Sequence, residues 1–226
     1  MAEPNPEELF DLGIESYEKQ DFSKARKYFE KACDLNYGGG CGALGELYYN
    51  GEGVEKNLIK AAYFYIKSCD LNIGKGCSRL GKLYYDGKGV EKDLIKAAYL
   101  YAKACDLKDG GGCSDLGVLY QNGQIVEKDL TIAAQLYPKA CDLKYGLGCS
   151  NLGALYYNGK GVEKDLIKAA QFYSKACELK EGYGCGALGV LYKYGQGVEK
   201  DLIKAAQFYS KACKLGNQKA CEALKK

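Results

Sequence analysis

Twelve cysteines occupy two fixed positions in a repeat that runs through the 226-residue chain. The first position recurs every 36 residues, and the second follows it by eight residues each time. The first set is Cys33, Cys69, Cys105, Cys141, Cys177 and Cys213, and the second set is Cys41, Cys77, Cys113, Cys149, Cys185 and Cys221. Thiols in this arrangement can form disulfides, bind zinc as thiolates or pack as small buried apolar groups.

Two regular disulfide schemes respect the repeat. One joins each cysteine to the next, eight residues later; the other joins pairs such as Cys41 and Cys69 and leaves Cys33 and Cys221 without partners. Zinc is a weaker alternative, because the chain has no histidine and lacks the close Cys-x2-Cys spacing of structural zinc sites. We therefore expect no metal and no cofactor, while buried free thiols stay open as an alternative to disulfides.

The sequence contains few residue combinations that could form a catalytic site. Without histidine, neither a Ser-His nor a Cys-His pair can form. Ser16 and Lys19 match the Ser-x-x-Lys motif of serine β-lactamases, but the Ser-Asp-Asn and Lys-Thr-Gly motifs of those enzymes are absent. The sequence favours a protein that is not an enzyme.

Each repeat carries two amphipathic helical patterns. The first runs from about Gly42 to Asn50 and ends in a glycine-rich turn; the second opens at Asn57, or at an aspartate in later repeats, which suits a helix N-cap. Because neither helix can bury its apolar stripe alone, successive pairs must stack. The prediction is an all-α fold, an α/α superhelical solenoid that forms a single domain over residues 1–226. It comprises a short first repeat over 1–36, five 36-residue repeats over 37–215 and a capping helix over 216–226.

The period, the Leu-Gly-x-x-Tyr phrase, the Asn-Gly-x-Gly-Val turn and the Lys-Ala-Ala block resemble the Sel1-like repeat, a relative of the tetratricopeptide repeat. Together with the Cys-x7-Cys pair, they resemble the Helicobacter cysteine-rich protein family over essentially the whole chain. Similar proteins pair their cysteines eight residues apart, so the resemblance favours that scheme. It also implies protein or peptide binding, with weak penicillin binding or β-lactamase activity as an alternative. Val162 to Cys177 repeats identically as Val198 to Cys213, so a designed or reconstructed scaffold without its own ligand is a further alternative.

In tetratricopeptide-like solenoids the first helices line a concave groove, and the outward positions of these helices are therefore candidate peptide contacts. They carry tyrosine, which offers contact area with few rotors, and asparagine, which can pair with both backbone groups of a peptide. The candidates are Glu46, Tyr49, Asn50, Lys82, Tyr85, Asp86, Gln121, Asn122, Tyr157, Asn158, Lys193 and Tyr194.

The fourth repeat departs from the pattern. Gln121 replaces a tyrosine, Ile125 replaces the second glycine of the turn, and Pro138 falls inside the second helix. Proline removes a backbone donor and crowds the preceding turn, so we expect a kink near the end of that helix.

Charge and hydropathy limit the partners. The net charge of +3 is too small for the one-sided basic field of a nucleic-acid binder, and no apolar run approaches a membrane span. We expect a monomer that binds a protein or extended peptide, and neither nucleic acid nor membrane. Disulfides would place it in an oxidising compartment, secreted or periplasmic, as a mature form without its signal peptide.

Overall fold

The computed structural model describes residues 5–124 and 129–225, and α-helices are the only regular elements in these ranges. The helices are α1 Pro6–Glu18, α2 Phe22–Asp34, α3 Gly38–Asn50, α4 Leu58–Asp70, α5 Gly74–Asp86, α6 Leu94–Asp106, α7 Gly110–Asn122, α8 Leu130–Asp142, α9 Gly146–Asn158, α10 Leu166–Glu178, α11 Gly182–Tyr194, α12 Leu202–Lys214 and α13 Gln218–Ala223. The all-α repeat class is confirmed. Ile125 lies outside the described residues.

The second helix of each pair begins at the predicted cap. The side-chain oxygen of Asn57 accepts a hydrogen bond from the backbone amide of Lys60 at 2.9 Å, and Asp201 accepts one from Lys204 at 2.8 Å. These bonds satisfy amides that have no partner within the first turn. The first helices end where Gly51 and its equivalents take positive φ, 80° at Gly51 itself.

The first helices begin four residues earlier than predicted. Helix α3 starts at Gly38 and not at Gly42, so Gly38, Gly39 and Gly40 are helical residues of its first turn. The prediction was wrong because glycine is a poor helix former and reads as loop. Close packing explains the glycines: a Cβ atom added at Gly40 would lie 2.8 Å from the Cβ atom of Ala32 in α2.

The Leu-Gly phrase has a packing role. A Cβ atom added at Gly45 would lie 2.5 Å from Cδ1 of Tyr65, because the Tyr65 ring rests directly on the Gly45 backbone. Gly189 and Tyr209 repeat this contact, with Cδ1 at 2.9 Å from the added Cβ position. Each pair is therefore joined by an aromatic ring of the second helix seated on a glycine of the first.

The chain divides into two compact units, which are described separately. Unit 1 covers Met1–Gly112, and unit 2 covers Cys113–Lys226. In unit 1, one core cluster surrounds Phe29 and Leu44, and another surrounds Tyr65 and Leu80. In unit 2, the clusters surround Tyr137, Tyr173 and Tyr209. The assignment of one solenoid domain to residues 1–226 stays a prediction.

Helix α8 runs through Pro138 and continues to Asp142. The proline therefore does not end the helix, and a kink at this point stays a prediction. The neighbouring Tyr137 is fully buried, and its hydroxyl donates a hydrogen bond to Oε1 of Gln121 at 2.8 Å. Gln121, one of the departures of the fourth repeat, thus serves as an internal acceptor in unit 2.

Candidate functional site

Disulfides join the end of one helix pair to the start of the next. Cys33, in the last turn of α2, bonds Cys41 in the first turn of α3, with their Cα atoms 4.7 Å apart. The same eight-residue pairing joins Cys69 to Cys77, Cys141 to Cys149, Cys177 to Cys185 and Cys213 to Cys221. Cys105 and Cys113 are disulfide-bonded as well. Within each unit, a bridge fixes the start of one helix relative to the end of the preceding helix pair.

Two cavities occupy equivalent places in the two units. The unit 1 cavity, of about 410 Å³, is lined by Phe10, Ile14, Tyr17, Gly39, Gly42, Ala43, Glu46, Tyr65, Ile73, Lys75, Gly76 and Arg79. The unit 2 cavity, of about 400 Å³, is lined by Tyr157, Asn158, Tyr173, Tyr183, Gly186, Ala187, Val190, Leu191, Tyr209, Asn217, Lys219, Ala220 and Ala223. Both volumes fall in the range of about 300–1,000 Å³ usual for ligand sites.

The equivalence follows from the repeat. Adding four periods of 36 residues, or 144, to a unit 1 position gives the matching unit 2 position: Ala43 matches Ala187, and Tyr65 matches Tyr209. In each cavity the floor is the tyrosine that rests on the Leu-Gly glycine. One wall is the first helix of the same pair, and the opposite wall is the following helix, α5 in unit 1 and α13 in unit 2.

The unit 1 cavity contains an ion pair. Nε of Arg79 lies 2.6 Å from Oε1 of Glu46. The Tyr65 hydroxyl beneath them is buried without a hydrogen-bond partner among the described residues. Burial, followed by the nearby Glu46 charge, raises the pKa of Tyr65 well above its usual range, so this phenol stays protonated.

The unit 2 cavity is apolar with a polar rim. Val190 stands where unit 1 has Glu46, and Ala223 stands where unit 1 has Arg79. Among the residues that the structure describes in this lining, Lys219 is the one charged side chain. Burial raises the pKa of Tyr173, whose ring meets Tyr183 edge-on with centroids 6.3 Å apart. No ion pair therefore has to be broken or desolvated when a ligand enters.

Hydrogen bonds orient the rim of the unit 2 cavity. The Tyr157 hydroxyl donates to Oε1 of Gln196 at 3.2 Å, and Nδ2 of Asn158 donates to the Ala154 carbonyl at 2.8 Å. Nδ2 of Asn217 donates to the Gly182 carbonyl at 3.2 Å, which ties the start of α13 to the start of α11. The rim is therefore held in place before any ligand arrives.

Three of the predicted groove residues line these cavities: Glu46 in unit 1, and Tyr157 and Asn158 in unit 2. The remaining candidates lie outside both linings. Three tyrosines have a lysine ammonium near the ring centre: Nζ of Lys56 lies 5.8 Å from the centre of the Tyr49 ring, that of Lys92 lies 6.0 Å from Tyr85, and that of Lys193 lies 5.8 Å from Tyr194. Nζ of Lys88 lies 2.9 Å from Oδ2 of Asp86. Asn50, Lys82 and Asn122 are exposed. Their role in peptide binding stays a prediction.

Sequence reasoning missed Tyr183 and the α13 wall. Tyr183 lies in the first turn of α11, a turn that the predicted helix bounds excluded. The sequence did mark this residue as unusual. The equivalent positions of the other repeats hold Gly39, Lys75, Gly111 and Leu147, so Tyr183 is the aromatic residue among them. Its side chain is 53% exposed at the mouth of the cavity.

The Ser-x-x-Lys match does not bring a serine and a lysine together. The Ser16 hydroxyl donates to the Leu12 carbonyl at 2.8 Å, inside its own helix, and the side chain is buried. Nζ of Lys19 lies 2.5 Å from Oε1 of Glu15. Each side chain of the motif thus has a different partner.

In residues 5–124 and 129–225 no helix combines the length and the apolar character needed to cross a membrane. Within the same ranges, no three or more of the acidic, cysteine or histidine side chains that ligate metals come together as a metal-binding group.

The Sel1 repeat family model matches residues 9–37, 40–73, 74–109, 111–145, 146–181 and 183–217. Over 60 residues the chain is 63% identical to HcpC of Helicobacter pylori strain J99, covering 26% of this chain and 21% of that protein. HcpA of the same strain, named as a β-lactamase, is 57% identical over 60 residues, covering 26% of this chain and 24% of HcpA. The resemblance to the Helicobacter cysteine-rich proteins is confirmed, although the match spans less than a quarter of either relative.

A solved Sel1 repeat protein from Oxalobacter formigenes superposes with a TM-score of 0.83. The two chains are 27% identical, and the match covers 96% of this chain and 86% of the other. The fold of this chain is therefore similar to that of a solved Sel1 repeat protein.

Proposed function

Because this chain belongs to the Sel1 repeat family, whose solenoid fold supports protein-interaction scaffolds, we propose that it is a peptide-binding module. In this proposal an extended segment of a partner protein places one apolar side chain in the unit 2 cavity. The observation that carries the proposal is that cavity: about 400 Å³ of space with an uncharged floor and two predicted groove residues at its rim.

The lining suits an apolar side chain. Ala187, Val190, Ala220 and Ala223 form small apolar walls, and the Tyr209 ring forms the floor. Pockets of this kind gain affinity from apolar surface removed from water, while a few polar groups orient the ligand. Tyr183 at the mouth adds a rigid aromatic surface that contacts a ligand at low cost in side-chain entropy.

The disulfides favour binding by holding the walls. Cys177–Cys185 fixes the start of α11, and Cys213–Cys221 fixes α13. A cavity whose walls are already in place loses less conformational entropy when a ligand binds. These bridges also support a secreted or periplasmic location, because structural disulfides persist in oxidising compartments.

A β-lactamase activity, suggested by the name of HcpA, is not proposed for this chain. Ser16 and Lys19 are engaged with Leu12 and Glu15, and the other motifs of serine β-lactamases are absent from the sequence.

Peptide selection followed by calorimetry tests the proposal. Peptides enriched from a random displayed library on the folded chain would be titrated into the wild type and into Ala187→Phe, which fills the unit 2 cavity. Ala43→Phe, at the equivalent position of unit 1, is the matched control. We expect Ala187→Phe to weaken binding by at least about tenfold, equivalent to about 1.4 kcal/mol, and Ala43→Phe to leave it unchanged.

Two results would overturn the proposal. Equal weakening by both variants would show that the unit 2 cavity is not the specific site. Failure to enrich any peptide would favour a scaffold that has no ligand of its own. Circular dichroism of both variants ensures that a loss of binding does not reflect unfolding.

A further inference from the structure

Unit 1 exposes large apolar side chains on two second helices. On α4, Ile59, Tyr63 and Ile66 are 72%, 52% and 41% exposed; on α6, Ile95 and Tyr99 are 77% and 68% exposed. The α4 residues follow the spacing i, i+4, i+7 and therefore form one stripe on one side of the helix. We call these five residues the outer face.

Helices α4 and α6 begin next to each other. Gly89, in the turn before α6, packs against Leu58 at the start of α4, and a Cβ atom added at Gly89 would lie 2.7 Å from Cβ of Leu58. Ile59 and Ile95 occupy the same repeat position, in the first turn of each helix. The two stripes therefore start from neighbouring helix ends and form parts of one surface.

The repeat fold does not require apolar residues at these positions. On α10 and α12 of unit 2 the equivalents of Tyr63 are Gln171 and Gln207, and those of Ile66 are Ser174 and Ser210. Helices α10 and α12 form with these polar residues over the same lengths as α4 and α6. The exposed Tyr63, Ile66 and Tyr99 thus distinguish unit 1, whereas Ile59 and Ile95 have exposed equivalents in Ile167 and Ile203 of unit 2. Exposed apolar patches mark interaction surfaces.

Lysines are the only charged residues along the outer face. Between residues 59 and 67 they are Lys60 and Lys67, and between 95 and 103 they are Lys96 and Lys103. Nζ of Lys67 lies 5.1 Å from the centre of the Tyr63 ring. The carboxylates on these helices, Asp70 and Asp106, lie beyond the stripe at the helix ends, and the α6 cap Asp93 has its Oδ2 atom 3.3 Å from Nζ of Lys96. The surface is therefore apolar with a positive border, which is complementary to an apolar layer that carries negative groups.

We propose that the outer face binds the surface of a lipid bilayer containing anionic headgroups. Isoleucine and tyrosine enter the boundary between headgroups and acyl chains, while the lysine stems extend so that the ammonium groups reach lipid phosphates. This proposal changes the expectation of no membrane partner, which rested on the lack of spanning segments. It is independent of peptide binding, because the outer face shares no residue with either cavity.

Vesicle sedimentation tests this proposal. The full disulfide-bonded chain would be mixed with vesicles of phosphatidylcholine alone, and with vesicles of equal parts phosphatidylcholine and phosphatidylglycerol. We expect binding to the mixed vesicles, which Tyr63→Gln, Ile66→Ser and Tyr99→Gln together weaken by at least about tenfold. These changes install unit 2 residues, so the helices should stay folded. Ile167→Gln with Ile203→Gln in unit 2 is the matched control and should bind as the wild type does.

A lysine variant provides a second test in the same vesicle experiment. Changing Lys60, Lys67, Lys96 and Lys103 to glutamine should weaken binding to the mixed vesicles, because their attraction to anionic lipid is lost. No binding to the mixed vesicles, or equal binding by the triple variant, would overturn the proposal. So would a wild-type dimer that the triple variant dissociates in sedimentation velocity, since a second copy of the chain would then cover this face.

Discussion

The unit 1 and unit 2 cavities have the same floor and different walls. In both, a buried tyrosine rests on the glycine of the Leu-Gly phrase, Tyr65 on Gly45 and Tyr209 on Gly189. Glu46 and Arg79 then place an ion pair in the first cavity, whereas Val190 and Ala223 leave the second apolar. The comparison teaches that the contact which builds the pair is kept while the wall positions change the chemistry of the space.

The wall formed by the following helix also differs between the two cavities. In unit 1 it is α5, a 13-residue helix that packs against α6; in unit 2 it is α13, which has six residues. A helix of six residues is not stable alone in water. The Cys213–Cys221 bridge therefore matters more in unit 2 than Cys69–Cys77 does in unit 1, and the Asn217 hydrogen bond to Gly182 adds a contact that the equivalent residue Ile73 cannot make.

Removing the matched disulfides gives the largest expected effect. Cys69→Ser with Cys77→Ser should lower the free energy of unfolding of unit 1 by about 2–3 kcal/mol, from the lost constraint on the unfolded chain, and leave peptide affinity unchanged. Cys213→Ser with Cys221→Ser should free α13 and weaken binding of a selected peptide by at least about tenfold. Chemical denaturation and calorimetry measure the two outcomes. Equal peptide affinity in both double variants would contradict the role given to α13.

The contact between the tyrosine floor and its glycine can be tested in each unit by a glycine-to-alanine change, which adds one methyl group. Gly45→Ala should cost about 2 kcal/mol, because the added carbon would crowd Tyr65 even though alanine favours the helix by about 1 kcal/mol. Gly189→Ala should cost about 1 kcal/mol or less, since the Tyr209 ring lies farther from the added carbon and is less completely buried. Denaturant midpoints measure both changes. A larger loss at Gly189 would reverse the expected order.

The unit 1 wall can be made to resemble that of unit 2. Arg79→Ala should cost about 1 kcal/mol, because it leaves the Glu46 carboxylate without its partner beside the buried Tyr65 hydroxyl. Adding Glu46→Val removes that unpaired charge, so the double variant should be more stable than Arg79→Ala alone. A double-mutant cycle by chemical denaturation checks this order, and additive losses would show that the pair is not coupled.

The smallest expected effect is a difference in how the two equivalent helix caps, Asp201 and Asn57, make stability depend on pH. The backbone amide of Lys204 and desolvation act in opposite directions on Asp201, and the amide prevails, so the pKa of this cap lies below its usual value. A lowered folded pKa stabilises the folded state above the unfolded pKa of about 3.9, and this contribution is lost as pH falls through the folded pKa. Asn57, the equivalent cap in unit 1, does not titrate.

Asp201→Asn should therefore make unfolding less sensitive to pH between about 4 and 2, and Asn57→Asp should make it more sensitive. Denaturation curves collected across this range provide the measurement. An unchanged pH profile in both variants would show that the caps do not contribute to acid sensitivity.

Much of the fold was predictable because the same sequence pattern occurs in several successive repeats. The period identified the helix pairs, and the caps at Asn57 and the aspartates located the second helices. The first-helix starts were not predictable from propensity, because glycine is a poor helix former, whereas Gly38 and Gly40 lie where a side chain would crowd the next pair and α2 respectively. That error hid Tyr183 and the first-turn positions that line the cavities.

The outer face could not be predicted for a related reason. In the structure Ala61, Ala62 and Tyr65 fill the buried side of α4, and Ile59, Tyr63 and Ile66 stay exposed on another side of the same helix. Periodicity finds an apolar stripe, but it does not show which of two apolar sides is covered.

Methyl NMR with a selected peptide tests the difference between the cavities most directly. Titration should shift the methyl signals of Ala187, Val190 and Ala223 in the unit 2 cavity and leave those of Ile14, Ala43 and Ile73 in the unit 1 cavity in place. Shifts confined to the unit 1 methyls, or shifts at neither set despite measured binding, would contradict the assignment of peptide binding to the unit 2 cavity.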